Sequence, residues 1–205
     1  MADYGDPALL IVGLLLWIVV DWFLYKAAFS DPGLIPRQAT DDHIEIHKQR
    51  LSSHLMYSGL CGQKNLLTKL KFCYTCLIYR PKRAVHCSSC DVCVEQMDHH
   101  CPFISNCVGH RNYPFFFGFI FSLLIDAIFI FSLSIHDIVR RVNQLMNPEE
   151  TENPAATASE ATNLALRQVP LAIPIIILTF VTFVGLAALN TYHIKLCLYN
   201  QTTYE

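Results

Sequence analysis

The sequence has no large excess of charge of either sign. Its 205 residues carry 15 Lys and Arg against 17 Asp and Glu, a formal net charge of −2, so the overall charge does not indicate a nucleic-acid partner. Charged residues are scarce in three long apolar runs, and 53% of the residues are hydrophobic. This content exceeds what the core of a soluble protein needs. The composition therefore predicts a membrane protein.

The first apolar run also lacks the marks of a cleaved signal peptide. The residues before it include Asp3 and Asp6 rather than a basic cluster, and no small-residue cleavage site follows it. We therefore expect residues 7–28 to form a retained transmembrane helix, since roughly 20 apolar residues cross about 30 Å of hydrocarbon. The Asp-Pro-Gly sequence at residues 31–33 is predicted to end this helix, because proline removes a donor and glycine permits a turn.

Two further apolar runs complete the predicted fold. Residues 113–135 and 169–192 are each long enough to span a bilayer, which gives an α-helical polytopic membrane protein with three spans. The polar residues 136–168, which contain two prolines, are interpreted as a loop on the far side of the membrane. Residues 32–71 form a polar linker, and residues 193–205 form a short tail after the last span.

One acidic residue lies within the second predicted span. Asp126 is about 18 Å along that helix at a rise of about 1.5 Å per residue, near the middle of a bilayer. Thr179 and Thr182 of the third span lie at a similar depth. We expect one of these two hydroxyls to hydrogen-bond to Asp126 and so to hold the helices together.

The basic residues predict how the chain is oriented. Ten of the 15 Lys and Arg residues lie between Pro32 and Tyr113, and basic residues accumulate in cytosolic loops. We therefore expect this middle segment and the carboxyl terminus to lie in the cytosol, with the amino terminus on the other side. Cytosolic thiols stay reduced, so a dense cysteine cluster there is expected to bind metal or to be catalytic.

Residues 72–112 hold seven of the nine cysteines, in the pattern C-x2-C-x9-H-C-x2-C-x2-C-x6-H-C-x5-C. Structural zinc sites take four thiolate or imidazole ligands. If Cys101 is set aside, eight candidate ligands remain, enough for two closed zinc sites: Cys73, Cys76, His86, Cys87, Cys90, Cys93, His100 and Cys107. The spacing leaves the pairing open, because Cys90 belongs to two overlapping C-x2-C units.

The remaining cysteine is flanked by groups that can activate it. In Asp98-His99-His100-Cys101 the two histidines are consecutive, so in extended backbone their side chains point to opposite sides. One can hold zinc while the other faces Cys101, whose thiol gains thiolate character near an imidazole. Asp98 can orient that imidazole. The alternatives are a purely structural zinc module and a membrane-anchored module that only recruits partners, although a RING domain lacks such a His-Cys pair.

Five motifs of this segment occur together: Cys73-x2-Cys76, Arg80-Pro81-x-Arg83-x2-His86-Cys87, Cys90-x2-Cys93, Asp98-His99-His100-Cys101-Pro102, and Asn106-Cys107-Val108-Gly109 with Asn112. In this combination the segment resembles the cysteine-rich domain of DHHC-type protein S-acyltransferases (palmitoyltransferases). Asp31-Pro32-Gly33 and Thr202-Thr203-x-Glu205 resemble the two short flanking motifs of that family. Asn200-Gln201-Thr202-Thr203 resembles in particular the corresponding sequence of the Ras-palmitoyltransferase-like branch, whose members act with a small accessory subunit.

The resemblance implies a set of roles. One zinc would bind Cys73, Cys76, His86 and Cys93, and the other would bind Cys87, Cys90, His100 and Cys107. Cys101 would be the nucleophile, His99 its base and Asp98 the orienting acid. Cys101 would take a fatty acyl group from acyl-CoA, such as palmitoyl-CoA, and pass it to a cysteine of a membrane-associated protein.

Further expectations concern binding and location. Lys82, Arg83 and Arg111 are candidate contacts for the phosphates of CoA, and Thr202 and Glu205 are expected to hold the tail against the zinc domain. The protein is expected among membrane lipids of the endoplasmic reticulum, the Golgi or the plasma membrane. The family commonly has four spans, of which this sequence shows three; whether a further helix precedes it stays open. Phe103 stands where the family usually has Trp.

Overall fold

The computed structural model of the protein describes residues 7–38, 44–46, 48–49, 71–147 and 157–205. Its elements, in chain order, are α1 (Pro7–Phe29), β1 (Leu34–Ile35), β2 (Phe72–Cys73), β3 (Ile78–Tyr79), β4 (Val85–Cys87), β5 (Val92–Val94), β6 (His99–Cys101), β7 (Asn106–Val108), α2 (Tyr113–Met146), α3 (Ala158–Gln168) and α4 (Ala172–Leu198). A 3₁₀ turn, Pro102–Ile104, follows β6. Most of the predicted linker lies outside the described residues.

Three of the helices are long and apolar enough to cross a membrane: α1 with 23 residues, α2 with 34 and α4 with 27. At about 1.5 Å per residue, even the shortest exceeds the roughly 30 Å of a hydrocarbon core. Large apolar side chains such as Leu10 and Ile177 are exposed along them, as lipid-facing residues are. The predicted fold class, a helical integral membrane protein with three spans, is confirmed.

The helix α2 continues well past residue 135, where we expected the second span to end. Its polar extension is held by side chains one turn apart, since Asp137 accepts a hydrogen bond from Arg141 Nε at 2.8 Å and lies 3.6 Å from Arg140. Farther along, α3 begins at an N-cap in which the Thr157 hydroxyl accepts from the Glu160 backbone N–H at 3.2 Å. The segment that we interpreted as a loop therefore contains helix at both of its ends.

One compact unit of the chain consists of residues Met1–Asp21 and Phe119–Ile194. Within it, Asn190 of α4 donates from Nδ2 to the backbone oxygen of Ile120 in α2 at 2.9 Å. The rings of Phe131 and Phe180 lie 5.9 Å apart between the same two helices. A hydrogen bond and aromatic packing therefore join α2 to α4, as expected for helix association in lipid.

The expected hydrogen bond between these helices at Asp126 is not formed. Thr179 donates its hydroxyl to the backbone oxygen of Ile175, and Thr182 donates to that of Leu178, both at 2.8 Å. Each hydroxyl carries a single proton, and each spends it on the preceding turn of its own helix. The prediction of a threonine donor for Asp126 was therefore wrong.

The second compact unit consists of Trp22–Gly118 and Lys195–Glu205 and contains all seven strands. β1, β5 and β4 form a small antiparallel sheet in that order, while β2 pairs with β3 and β6 pairs with β7. Among the residues that the structure describes, no strand exceeds three residues, and the buried clusters consist largely of cysteines with a few aliphatic side chains. Such a core is too small to hold the strands together by apolar burial alone.

The end of α1 is held by the segment that follows β6. Asn106 Nδ2 donates to the backbone oxygens of Ala28 and Ser30 at 3.0 and 3.1 Å. Asn112 Nδ2 donates to the oxygen of Ala27 at 3.1 Å. The last carbonyls of a helix have no partner within the helix, so the two asparagines satisfy carbonyls at the end of α1.

The Asp-Pro-Gly sequence forms the turn after α1. The Asp31 carboxylate accepts from the backbone N–H groups of Gly33 and Leu34, each at 2.8 Å, and the N–H of Leu34 is the largest cause that lowers the pKa of Asp31. Gly33 has φ of 105°, a conformation that favours glycine. This turn directs β1 onto β5, where Ile35 pairs with Cys93. The turn at the end of α1 therefore leads into a strand that pairs with the strand of a candidate ligand, Cys93.

Candidate active site and metal groups

The first metal group contains Cys73, Cys76, His86 and Cys93, and its four candidate ligand atoms all lie within 4.8 Å of one another. His86 Nδ1 is 3.4 Å from Cys76 Sγ and 3.9 Å from Cys93 Sγ. Around a tetrahedral zinc with Zn–S of about 2.3 Å, neighbouring sulfurs are separated by about 3.8 Å. The atoms of this group therefore already have the spacing that a tetrahedral zinc requires.

The second metal group contains Cys87, Cys90, His100 and Cys107, again with all four atoms within 4.8 Å. His100 Nδ1 lies 3.4 Å from Cys90 Sγ and 3.7 Å from the sulfurs of Cys87 and Cys107. Three thiols and one imidazole are a common donor set of structural zinc sites. The two groups contain the same residues as the pairing that the resemblance implies.

The strand register explains the interleaved membership that spacing left open. In the β4–β5 pair, His86 is opposite Cys93, whereas Cys87 is opposite Val92. Because successive residues of a strand point to opposite faces, the adjacent His86 and Cys87 face different metal groups. Cys90 lies in the turn between these two strands, and Cys93 lies in β5.

The electrostatics of both groups favour a bound cation. Burial is the largest cause that raises the pKa of Cys93 and Cys107, and contact with the neighbouring thiols raises it further. The three sulfurs of a group are in contact, all three being buried in the first group and two in the second, and they therefore do not ionise together by themselves. A divalent metal removes that penalty, since a coordinating thiol loses its proton. The donor chemistry and spacing of both groups fit zinc.

The β6–β7 hairpin carries the candidate reactive residues. His99 pairs with Val108, His100 with Cys107 and Cys101 with Asn106. His99 and Cys101 are two residues apart in β6 and lie on the same face, whereas His100 turns to the opposite face and joins the second metal group. Cys101 is buried, with 5% of its surface exposed. The hairpin thus separates metal ligation from the candidate chemistry.

The carboxylate of Asp98 is buried, with 2% of the residue exposed, and it accepts several hydrogen bonds. Its Oδ2 lies 2.7 Å from His99 Nδ1. The backbone N–H of Thr203 donates to Oδ1 at 2.9 Å, and the Thr203 hydroxyl lies 3.1 Å from Oδ2 and also contacts the backbone oxygen of Asp98. If the Asp98 contact holds the proton of His99 on Nδ1, then Nε2 is the nitrogen left to accept a proton.

The ring of His99 is held on a second side. It packs edge-on against Phe116 in the first turn of α2, with the ring centroids 5.1 Å apart. Phe116 is 4% exposed. A carboxylate at Nδ1 and an aromatic wall together restrict the rotation of the imidazole, which is the arrangement that a positioned base requires.

The carboxyl-terminal segment is held against the same region by Arg83. The Arg83 guanidinium donates to both carboxylate oxygens of Glu205, at 3.0 and 2.9 Å. It also donates to the side-chain and backbone oxygens of Asn200, at 3.2 and 3.0 Å. The hydrogen bond from Arg83 is the largest cause that lowers the pKa of Glu205. The expected role of Glu205 in holding the tail agrees with this geometry, whereas Thr203, not Thr202, reaches Asp98.

The three basic residues predicted to meet CoA have different surroundings. Arg83 is engaged by the tail, and Arg111 is ion-paired with Asp31 at 2.7 Å. Lys82 is exposed and forms no ion pair with any residue that the structure describes. Phe103, two residues after Cys101, is 89% exposed.

Sequence reasoning did not identify two of the contacts that shape this site. The sequence places Thr203 in a flanking motif, and it places Arg83 in a motif of the cysteine-rich segment and among the candidate phosphate contacts. Their partners lie 105 and 122 residues away in the chain. The Thr-Thr-x-Glu motif indicates that the tail has a role, but the motif does not identify the residues that its side chains contact.

The described geometry can be compared with known proteins. Residues 67–205 match the family described as DHHC palmitoyltransferase, which is more than half of the chain. This chain belongs to the DHHC palmitoyltransferase family. Among curated DHHC proteins, palmitoyltransferase ZDHHC14 of Mus musculus is 36% identical over 217 residues, covering 100% of this chain and 41% of the relative. The predicted family, near the Ras-palmitoyltransferase-like branch, is confirmed.

Other DHHC relatives agree with this assignment. Palmitoyltransferase ZDHHC9 of Danio rerio is 36% identical over 219 residues, covering 100% of this chain and 52% of the relative. Palmitoyltransferase ZDHHC9 of Homo sapiens is 34% identical over 211 residues, covering 98% of this chain and 53% of the relative. The chain thus spans about half the length of the curated relatives that it matches.

Proposed function

We propose that this chain carries the active site of a protein S-acyltransferase, which moves a palmitoyl group from acyl-CoA to cysteine thiols of membrane-associated proteins. The observation that carries the proposal is the 2.7 Å contact between the buried Asp98 carboxylate and His99 Nδ1, on the hairpin that also carries Cys101. The names of the relatives support the same activity.

In the first half-reaction, His99 takes the proton of the Cys101 thiol, and the thiolate attacks the thioester carbonyl of acyl-CoA. The bond from the carbonyl to the CoA sulfur breaks, and the departing CoA thiolate takes up the proton from His99. Asp98 holds the imidazole and stabilises its cation while it carries the proton. The product is an acyl-Cys101 thioester.

In the second half-reaction, a substrate cysteine gives its proton to His99 and attacks the carbonyl of acyl-Cys101. The new thioester forms on the substrate, and the Cys101 thiolate leaves and is reprotonated. Zinc, when bound by the two metal groups, supplies the rigidity of the strands that carry these residues. It takes no part in the bond changes.

Several partners and the orientation are part of the proposal. Lys82 is the favoured contact for a CoA phosphate, because it is exposed, whereas Arg83 and Arg111 would have to exchange or share their carboxylate partners. The concentration of basic residues supports a cytosolic position for residues 72–112. Membrane lipid surrounds the spans, and an endomembrane or the plasma membrane is the proposed location. A small accessory subunit is a further proposed partner.

The test is the substitution Cys101→Ser in the purified full chain. We expect one acyl group per wild-type molecule after incubation with palmitoyl-CoA, released by hydroxylamine, and none on the variant, with two zinc ions bound by both proteins. Intact-mass spectrometry measures the label, and acyl-CoAs of other chain lengths show the preference. Cys197→Ser, which removes an exposed thiol outside the hairpin, should leave the label unchanged.

Two results would contradict the proposal. A label that persists on the Cys101→Ser protein would place the acceptor elsewhere. Absence of any label on zinc-loaded wild-type protein would support the alternative, a catalytically inactive zinc module that recruits partner proteins.

A further inference from the structure

A carboxylate, that of Asp91, lies near the ring nitrogen of His86 that does not face the sulfurs of the first metal group. His86 directs Nδ1 toward the sulfurs of its group, at 3.4 and 3.9 Å. Its other ring nitrogen, Nε2, lies 3.6 Å from Oδ1 of Asp91, an ion-pair distance rather than a hydrogen bond. An imidazole that binds metal through Nδ1 carries its proton on Nε2, and a carboxylate placed there fixes the ring and makes it a stronger ligand.

Asp91 occupies a defined position between the two metal groups. It follows Cys90 of the second group and precedes Cys93 of the first, and its φ of 53° lies in the left-handed region. Leu77 follows Cys76 with φ of 55° in the corresponding turn of the first C-x2-C unit. Aspartate is one of the residues that tolerate this conformation. In this turn the Asp91 carboxylate lies 3.6 Å from His86 Nε2.

Arg37 holds Asp91 in place. Its guanidinium contacts both the backbone oxygen and the carboxylate of Asp91. The pKa of Arg37 is raised, chiefly by its hydrogen bond to Asp91. Because the two contacts engage one residue through two different groups, they restrain the turn as well as the side chain.

The segment that carries Arg37 runs along the first metal group. Ile35 pairs with Cys93 in the sheet and packs against the buried cluster around Cys76. The backbone N–H of Gln38 donates to the oxygen of Cys76 at 3.0 Å. The residues on both sides of Arg37 thus contact strands or turns that carry ligands of this group.

We propose that Asp91 is a positioning residue of the first metal group, and that Arg37 fixes it there. Asp91 orients His86 toward the metal, and the Arg37 contact makes this orientation depend on the segment that leaves α1. The predicted consequence is tighter metal binding in the first group, with no direct effect on the second. This inference does not rest on the acyl-transfer reaction.

The experiment uses the full chain in detergent micelles, with ¹¹³Cd²⁺ as the probe in place of zinc. The two groups give separate ¹¹³Cd resonances, and Cys73→Ser, which removes a ligand of the first group alone, assigns them. Competition with a chelator then measures the affinity of each group. Asp91→Asn keeps the shape of the side chain and removes its charge, and Arg37→Gln removes the partner.

We expect Asp91→Asn to weaken metal binding in the first group about 10- to 100-fold, the usual range for loss of such a partner. Its ¹¹³Cd resonance should shift, while the affinity of the second group stays within about twofold. Arg37→Gln should have a smaller effect of the same kind, and Arg37→Lys should recover part of it. Glu45→Gln and Lys48→Gln make the same chemical changes in an exposed pair 3.4 Å apart and should change neither group.

The proposal is overturned if the first group of Asp91→Asn keeps wild-type affinity. It is equally overturned if both groups weaken together in a folded Asp91→Asn protein, because the effect would then not be specific to the first group. If Asp91→Asn does not fold, Arg37→Gln decides the proposal, because this variant leaves the sequence of the turn intact. Wild-type affinity of its first metal group would then overturn the proposal.

Discussion

Replacement of Thr203 by valine tests whether the carboxyl-terminal segment positions the candidate base. Valine has nearly the same shape as threonine but no hydroxyl, so Thr203→Val keeps the backbone N–H bond to Asp98 Oδ1 and removes the hydroxyl contacts to the carboxylate and the backbone oxygen. Asp98 is buried, so water does not readily replace the lost donor.

The expected magnitude follows from the hydrogen-bond pattern. The carboxylate has donors from His99 and from the Thr203 backbone N–H, and the Thr203 hydroxyl shares its single proton between the carboxylate and the backbone oxygen of Asp98. Loss of a donor to a buried charged acceptor costs about 1.5–3 kcal/mol. The lost hydrogen bond destabilises the state of the reaction in which His99 carries the proton. Since about 1.4 kcal/mol corresponds to a factor of ten in rate, acylation of Cys101 should slow about 10- to 100-fold.

Single-turnover acylation measures this effect directly. Purified protein is mixed with palmitoyl-CoA, quenched at short times, and the acyl-Cys101 fraction is read by mass spectrometry. Thr202→Val is the matched control, because it makes the same substitution one residue earlier. Zinc content and the thermal unfolding midpoint show whether either variant is merely misfolded.

Two outcomes would refute the reasoning. The first is acylation of the Thr203→Val protein within about threefold of the wild-type rate, a change worth less than about 0.7 kcal/mol. The second is acylation that slows as much in Thr202→Val as in Thr203→Val, which would show that any change in the tail has this effect.

Three further predictions concern stability and the tail. Gly109→Ala should destabilise the unit that carries the metal groups by about 1–3 kcal/mol or more, since an added Cβ would lie 2.4 Å from the backbone oxygen of Pro32. Gly185→Ala adds an atom with nothing within 4 Å of it in the interior of α4, and it should leave stability unchanged or raise it, because a helix favours alanine over glycine. Thermal unfolding compares the two variants, and equal stability would contradict the packing at Gly109. Removal of zinc by a strong chelator should raise the rate of amide hydrogen exchange throughout β2 to β7 and stop acylation of Cys101, because the strands have little apolar core. Strands that stay protected from exchange without zinc would show that the metal is dispensable. Arg83→Lys keeps the charge but loses the two-pronged contact with Glu205, so limited proteolysis should cut the tail faster, and an unchanged rate would show that the contact does not hold it.

Some features of this protein follow from the sequence by itself. The three spans could be predicted because hydropathy over some 20 residues is a local property. The donor count of two zinc sites could be predicted because residue type decides which side chains bind zinc. The alternation of side chains in extended backbone predicts that His99 and His100 face opposite sides, and the resemblance to the family implies which of them has which role. The length of α2 was underestimated, because its polar end is stabilised by ion pairs rather than by hydropathy.

Other features depend on the tertiary structure. Which cysteines share a metal group depends on the register of β4 and β5, and C-x2-C spacing is the same for either choice. The contacts of Arg37 with Asp91, of Asp98 with Thr203 and of Arg83 with Glu205 join residues 54, 105 and 122 positions apart. A sequence pattern indicates which groups can pair but carries no distance between remote segments. Only the path of the folded chain selects the partners, and those partners hold the candidate base and the first metal group in position.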